Sequence, residues 1–182
     1  MKKLFLHMMV SLDGFIEGPE KELDWFVDDD EMFEYFHDLL DSVDTMLYGR
    51  VSYQLMADYW PAATGEFADK MNNMPKIVFS RTLEKVEWNN SRLIKENIAE
   101  EISKMKQQPG KDLVLFAGAD IASTFRQLGL IDEYRLLVNP VVLGSGTPLF
   151  EGVHDKLNLK LIKTQTFSCV NVLLYYEPDN KN

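Results

Sequence analysis

The chain has 182 residues, 46% hydrophobic and 26% charged, a globular balance at a length that suits one domain and leaves no room for a second independent core. Nineteen Lys and Arg against 29 Asp and Glu leave a formal charge of −10 and a pI near 4.8, which argues against nucleic acid or an anionic membrane face as partner. Cys169 is the single cysteine, which excludes an intramolecular disulfide and a cysteine-built zinc site and points to a reducing, cytoplasmic compartment.

The opening MKKLFLHMMVSLDG imitates a short signal peptide, but His7 interrupts the apolar run and a turn at Asp13-Gly14 follows, so it predicts a first strand over 4–10. After a polar loop carrying Trp25, three acidic residues, Asp28 to Asp30, precede Met32, Phe33, Phe36, Leu39, Leu40 and Val43 at helical spacing. That pattern predicts a helix over 29–41 with its acidic end at the N-terminus. A short strand over 45–48, the turn Gly49-Arg50 and a helix over 51–59 follow, stopped by Pro61.

Runs at 76–79 and 91–95 predict two further strands, and Ile98, Ile102 and Met105 mark an amphipathic helix ended by Pro109-Gly110. A buried strand over 112–116, a small-residue turn and a helix over 121–128 ending at Gly129 repeat the strand, glycine turn and helix unit. The tail changes character: 133–143, 157–167 and 170–177 read as long strands without helices between them, the last two antiparallel. The prediction is a single α/β domain over 1–182: a mostly parallel central sheet, helices on both faces and an antiparallel C-terminal hairpin. No stretch approaches the roughly 18 to 20 apolar residues of a membrane span.

In a parallel sheet, ligands bind where strands end and helix N-termini offer free N–H groups to anions. Tyr48-Gly49-Arg50-Val51-Ser52 supplies a glycine, a guanidinium and a hydroxyl at such a turn. Phe116-Ala117-Gly118-Ala119-Asp120, leading into Ile121, supplies backbone that a pyrophosphate can approach. Ser80-Arg81 ends a third strand with groups suited to a ribose 2′-phosphate, which favours NADPH over NADH. Each turn taken singly also reads as an ordinary connector. His7, His37 and His154 are too scattered to suggest a metal site. Trp25, Phe33, Tyr53, Tyr59 and Trp60 read either as core or as walls for a flat heterocycle.

The ordered set SLDG at 11–14, LYGR at 47–50, VFSRT at 78–82, LFAGAD at 115–120 and LIDEYRLLVNPVVLGSGTPLF at 130–150, with a final strand pair, resembles the RibD C-terminal domain family of the dihydrofolate reductase superfamily. The match spans essentially the whole chain. The resemblance implies a sheet of about eight strands, an NADPH site across the three turns, hydride transfer to a bound small molecule, and a homodimer. By position, it places Gly49, Arg50, Val51 and Ser52 in a phosphate-binding turn, Ser80 and Arg81 at the adenosine ribose-phosphate, and Gly118, Ala119, Asp120 and Ile121 in the pyrophosphate turn. It places Asp13, Trp25, Tyr53, Asp58 and Phe116 toward the substrate.

Two departures bear on the substrate. Phe116 stands where riboflavin-pathway reductases carry Glu, and no Arg lies between Trp60-Pro61 and Arg81, so their phosphoribosylamino-pyrimidine is not the expected acceptor. The leading expectation is an NADPH-dependent reductase of a small heteroaromatic or carbonyl-bearing molecule. A non-catalytic nucleotide- or pterin-binding module and a dihydrofolate reductase proper remain alternatives, the last needing a buried acid among Asp28, Asp29, Asp30 and Glu31. The segment 140–150 either closes over the nicotinamide end or positions the hairpin against a second subunit.

Overall fold

The structure is a computed structural model that describes residues 1–179. Its elements in chain order are β1 (Leu4–Val10), β2 (Phe15–Glu17), α1 (Asp30–Ser42), β3 (Val43–Gly49), α2 (Arg50–Tyr59), a 3-10 turn (Trp60–Ala62), α3 (Glu66–Asn73), β4 (Lys76–Phe79), β5 (Ser91–Ile94), α4 (Ile98–Gln107), β6 (Asp112–Phe116), α5 (Ala119–Gln127), β7 (Glu133–Val138), β8 (Thr147–Pro148), β9 (Leu159–Thr166) and β10 (Val172–Pro178). Eight strands form one sheet in the order β5-β4-β3-β6-β1-β7-β10-β9. The first six run parallel; β10 is antiparallel to β7 and to β9. The expected fold class is the observed one.

Strand residues alternate between two covered faces, which is why the central strands are apolar without a break. Leu4, Leu6, Leu47, Leu113 and Leu115 pack with Ile102 and Met105 of α4 and Ala122 and Phe125 of α5. Phe5, Met46, Tyr48, Val78 and Val114 pack with Leu39 and Leu40 of α1, Tyr53 of α2 and Met71 of α3. Helix α1 starts where the acidic run predicts: the Asp29 carboxylate accepts from Met32 N at 2.8 Å, an ordinary N-cap.

Three features differ from expectation. The strand predicted over 133–143 ends at Val138. There the buried Asn139 donates its backbone N–H to Val10 O and its side-chain amide to Leu137 O, and accepts from Val27 N, and Pro140 has no N–H to extend a ladder. Helix α3 was not predicted; it is eight residues long and buries Ala68 and Met71, too little periodicity to register. The two-stranded sheet of β2 with β8 likewise has too few residues for an alternation.

Lys76 is an unusual core residue, fully buried on β4. Its ammonium donates to Asn72 O, Met74 O and Asn89 O at 3.0, 2.8 and 3.0 Å and sits 4.2 Å from the centre of the Trp88 ring. Burial pushes its pKa down to about 8; three carbonyl dipoles and an aromatic face are what retain the charge. Lys76→Met should remove the donor shared by three carbonyls, of which Asn72 O keeps a second one from Asn89 Nδ2, and lower stability by about 2 kcal/mol or more, measured as a shifted urea midpoint.

Candidate functional site

The carboxyl ends of β3, β4 and β6 open on one side of the sheet, and a groove of about 510 Å³ runs across them. Gly49, Arg50, Val51, Ser52, Ser80, Arg81, Gly118, Ala119, Asp120 and Ile121 all line it, with Ile16, Glu17, Lys21, Phe79, Thr124, Thr147 and Glu151. The structure thus brings together every residue that the sequence points to as cofactor-binding. Apart from Phe79, which ends β4, the second group is added by β2, the loop after it, α5 and the segment from Thr147 to Glu151, whose sequence carries no phosphate-turn pattern.

Two helices present their N-termini to this groove. The N-caps of α2 and α5 are Gly49 and Gly118, and neither end has a side-chain cap, so their first-turn N–H groups are free to meet an anion. A Cβ on Gly49 would lie 2.8 Å from Cγ2 of Ile121, so packing between the two turns demands glycine. A Cβ on Gly118 would meet only Ser52 Oγ, at 3.8 Å. The protein's own packing does not require glycine there, and the space suits close approach by a ligand.

Lys21, Arg50 and Arg81 face Glu17, Asp120 and Glu151 around the groove, three charges against three in a chain of net −10. Arg50 donates to Gln54 at 3.2 Å. Arg81 is exposed. The Ser80 hydroxyl accepts from the N–H groups of Thr82 and Leu83 at 3.2 and 3.1 Å, so it shapes the turn that presents Arg81.

The five residues expected toward the substrate are not gathered in one place. Asp13 accepts from Ser11 Oγ and from the N–H groups of Leu143 and Gly144, and these bonds hold its carboxyl below the usual range. It fastens the 140–150 segment to the turn after β1. Tyr53 is buried and accepts from Glu87 N and Trp88 N. With Asp58 it lines a second cavity of about 500 Å³, which shares no lining residue with the groove. Trp25 donates to Glu22 O and packs edge-on to Phe26. Phe116 stacks on Tyr48 and sets its edge against His7, centroids 6.0 Å apart.

Nor does the acidic run supply a buried acid. Asp29 accepts from Met32 N and Cys169 N, and its carboxyl is held below the usual range. Glu31 accepts from Ser168 N, while Asp28 and Asp30 are exposed. Among the described residues, no group of three or more His, Cys, Asp or Glu is placed to hold a metal ion, and no helix is long and apolar enough to cross a membrane.

His7 lay outside the sequence-derived site. It is 3% exposed, level with Phe116 and Arg135 on the neighbouring strands, and ringed by Tyr35, Phe36 and Phe116. Among the described residues, its Nε2 has no hydrogen-bond partner. Burial first, and the Arg135 charge second, push its pKa down to about 3. A lone histidine in an apolar strand carries no sequence signal of this; only the helix packed over the strand creates it.

The model of the RibD C-terminal domain matches residues 2–173. This chain belongs to that family. The uncharacterized protein YyaP of Bacillus subtilis (strain 168) is 43% identical over 180 residues, covering 96% of this chain and 94% of its own length. Among solved structures, a protein of Shewanella sp. PV-4 named for riboflavin biosynthesis aligns with TM-score 0.82 at 22% identity, over 98% of this chain and 99% of that one. A dihydrofolate reductase from Enterococcus faecalis, complexed with NADP(H), aligns with TM-score 0.65 at 13% identity, over 98% and 97%. At these identities the two structures establish the shared fold.

The His7 environment makes a pH prediction. Its folded pKa of about 3 lies below the ordinary 6.5, so between these values the unfolded chain binds the extra proton. The stability is full above pH 6.5 and is lost as pH falls toward 3, with a limiting slope of about 1.4 kcal/mol per pH unit. His7→Leu should flatten the decline in urea-derived stability between pH 6.5 and 4.5; an unchanged slope would assign the decline elsewhere.

Proposed function

We propose that this protein is an NADPH-dependent reductase of a small, flat heteroaromatic or carbonyl-bearing molecule. The observation that carries the reading is the convergence of two uncapped helix N-termini and two arginines on one groove. The strand ends β4, β3, β6 and β1 are consecutive in the sheet; three spacings of about 4.8 Å span about 14 Å, the reach of a dinucleotide laid across them. Arg81 at the β4 end meets the 2′-phosphate, and the turns at Gly49 and Gly118 take the pyrophosphate. The nicotinamide then lies toward β1 and β2.

NADPH, when bound, supplies the hydride. The chain's part is to fix the cofactor and keep water out. Asp13 contributes by tying the 140–150 segment beside the groove, in keeping with a loop that closes over the reactive end. The commitment of Asp29 to Met32 N and Cys169 N, as the cap of α1, argues against dihydrofolate reduction through that acid. The dispersal of Asp13, Trp25, Tyr53, Asp58 and Phe116 is the one observation that favours a non-catalytic nucleotide-binding module.

The reading includes a cytoplasmic homodimer. Strand β9 is one of the two edges of the sheet, with Leu161 and Ile162 exposed at 49% and 46%, a surface that proteins ordinarily cover or disarm. Sedimentation should return twice the chain mass.

Titration with NADPH and NADH, followed by nicotinamide fluorescence and thermal stabilisation, should show tighter binding of NADPH. Arg81→Ala should cost about tenfold in NADPH affinity and spare NADH, as expected for one charge-assisted contact. Gly118→Val should fill the approach to the pyrophosphate and cut both affinities at least tenfold without lowering the thermal midpoint. Binding of neither dinucleotide would overturn the proposal; binding without oxidation by any acceptor would favour the module.

A further inference from the structure

A groove built for a polyanion has reason to exclude carboxylates, yet Glu17 stands in it. Its side chain is only 19% exposed. Thr147 Oγ1 donates to Glu17 Oε1 at 2.6 Å, and Lys21 Nζ lies 4.0 Å from the same oxygen. The hydroxyl and the ammonium therefore engage one carboxylate oxygen from outside the strand. No protein donor is found for Oε2 among the described residues.

The position of Glu17 in the groove gives this carboxylate a meaning. β2 folds back on β1 through the Ser11 N to Phe15 O bond at 2.9 Å, and β2 pairs with β8 by way of Glu17 and Thr147. Glu17 thus lies at the β1 end of the groove, opposite the β4 end where Arg81 stands. Beside phosphate it would repel. Its free oxygen is best matched by a part of a dinucleotide that carries no negative charge and offers N–H donors, and a dinucleotide's nicotinamide end offers a primary amide.

We infer that Glu17, oriented by Thr147, anchors the carboxamide N–H₂ of the nicotinamide ring and sets which face and rotation of the ring the groove accepts. Glu17 is the contacting residue, and Thr147 positions it. This rests on the cofactor reading above, and it names a specificity determinant within it that none of the three phosphate turns can supply. Charge assistance makes such an amide-to-carboxylate bond about twice as strong as a neutral one, and both partners are rigid: the carboxylate sits in a paired strand and the amide is conjugated to its ring.

The test uses three probes on the whole chain: NADPH, its reduced 3-acetylpyridine analogue, in which a methyl group replaces the amide nitrogen, and adenosine 2′,5′-bisphosphate, which lacks the nicotinamide end. Wild-type protein should bind NADPH at least fivefold more tightly than the analogue. In Glu17→Ala this ratio should fall to about one, with bisphosphate affinity unchanged within twofold. Thr147→Val should lower the ratio by a smaller factor. If the melting profile shows that Glu17→Ala does not fold, Glu17→Gln is read instead, and its ratio should drop at least twofold because the charge assistance is gone. A ratio that survives in a folded Glu17 variant overturns the inference, as does an equal loss of all three ligands. If wild-type protein binds neither NADPH nor the bisphosphate, the cofactor reading itself has failed.

Discussion

The structure depends on the close packing of two turns against each other. Strands β3 and β6 are neighbours, run in the same direction and end level, Tyr48 opposite Phe116. Each turns at once into a helix, so the two helix N-termini must emerge side by side. That is possible only because Gly49 carries no Cβ where Ile121 of α5 rests, within 2.8 Å of the missing atom. Any larger residue would push α5 away from α2 and open the anion-binding corner. The adjacent free N–H groups and the groove between the turns follow from that contact.

The electrostatics run against the bulk character of the chain. A protein of net charge −10 does not attract an anionic ligand at a distance, so any such attraction has to be local. The groove reaches neutrality by setting Lys21, Arg50 and Arg81 against Glu17, Asp120 and Glu151, and adds the partial positive charge of two helix ends. Of the acidic groups, Glu17 lies at the end remote from Arg81, with Lys21 4.0 Å from its carboxylate.

Outside the lining of the groove, polar groups are devoted to holding structure. Asp13 pins the 140–150 segment, Asn139 ends β7 and ties down the loop at Val27, Asp29 caps α1 and reaches Cys169 N, and Tyr53 holds the backbone at Glu87 and Trp88. Three of these, Asp13, Tyr53 and Asp29, looked like ligand or acid candidates in the sequence. A carboxylate that accepts two backbone N–H groups serves folding and ionises readily, which is the opposite of what a proton donor needs. His7 shows the converse. It lies in an apolar strand with no motif around it, and its neutral, unpartnered imidazole arises only because α1 lays Tyr35 and Phe36 over it.

By itself the sequence determined the alternation of strands and helices, the α/β class, the antiparallel C-terminal pair and the three turns that line the groove. Those features are written in local pattern: apolar periodicity, the glycines at 49 and 118, the acidic run before α1, Pro61 after α2. Only the tertiary structure decided the sheet order that sets Arg81 and Glu17 at opposite ends of one groove, and the pairing of β2 with β8 that brings Thr147 to Glu17 across 130 positions of chain. It also decided the commitment of Asp13 and Tyr53 to backbone donors and the burial of His7 and Lys76. The physical reason is that hydrogen-bond satisfaction and desolvation depend on which distant segments pack together. A residue's type states what it can donate, accept or neutralise; the fold decides whether that capacity has already been used.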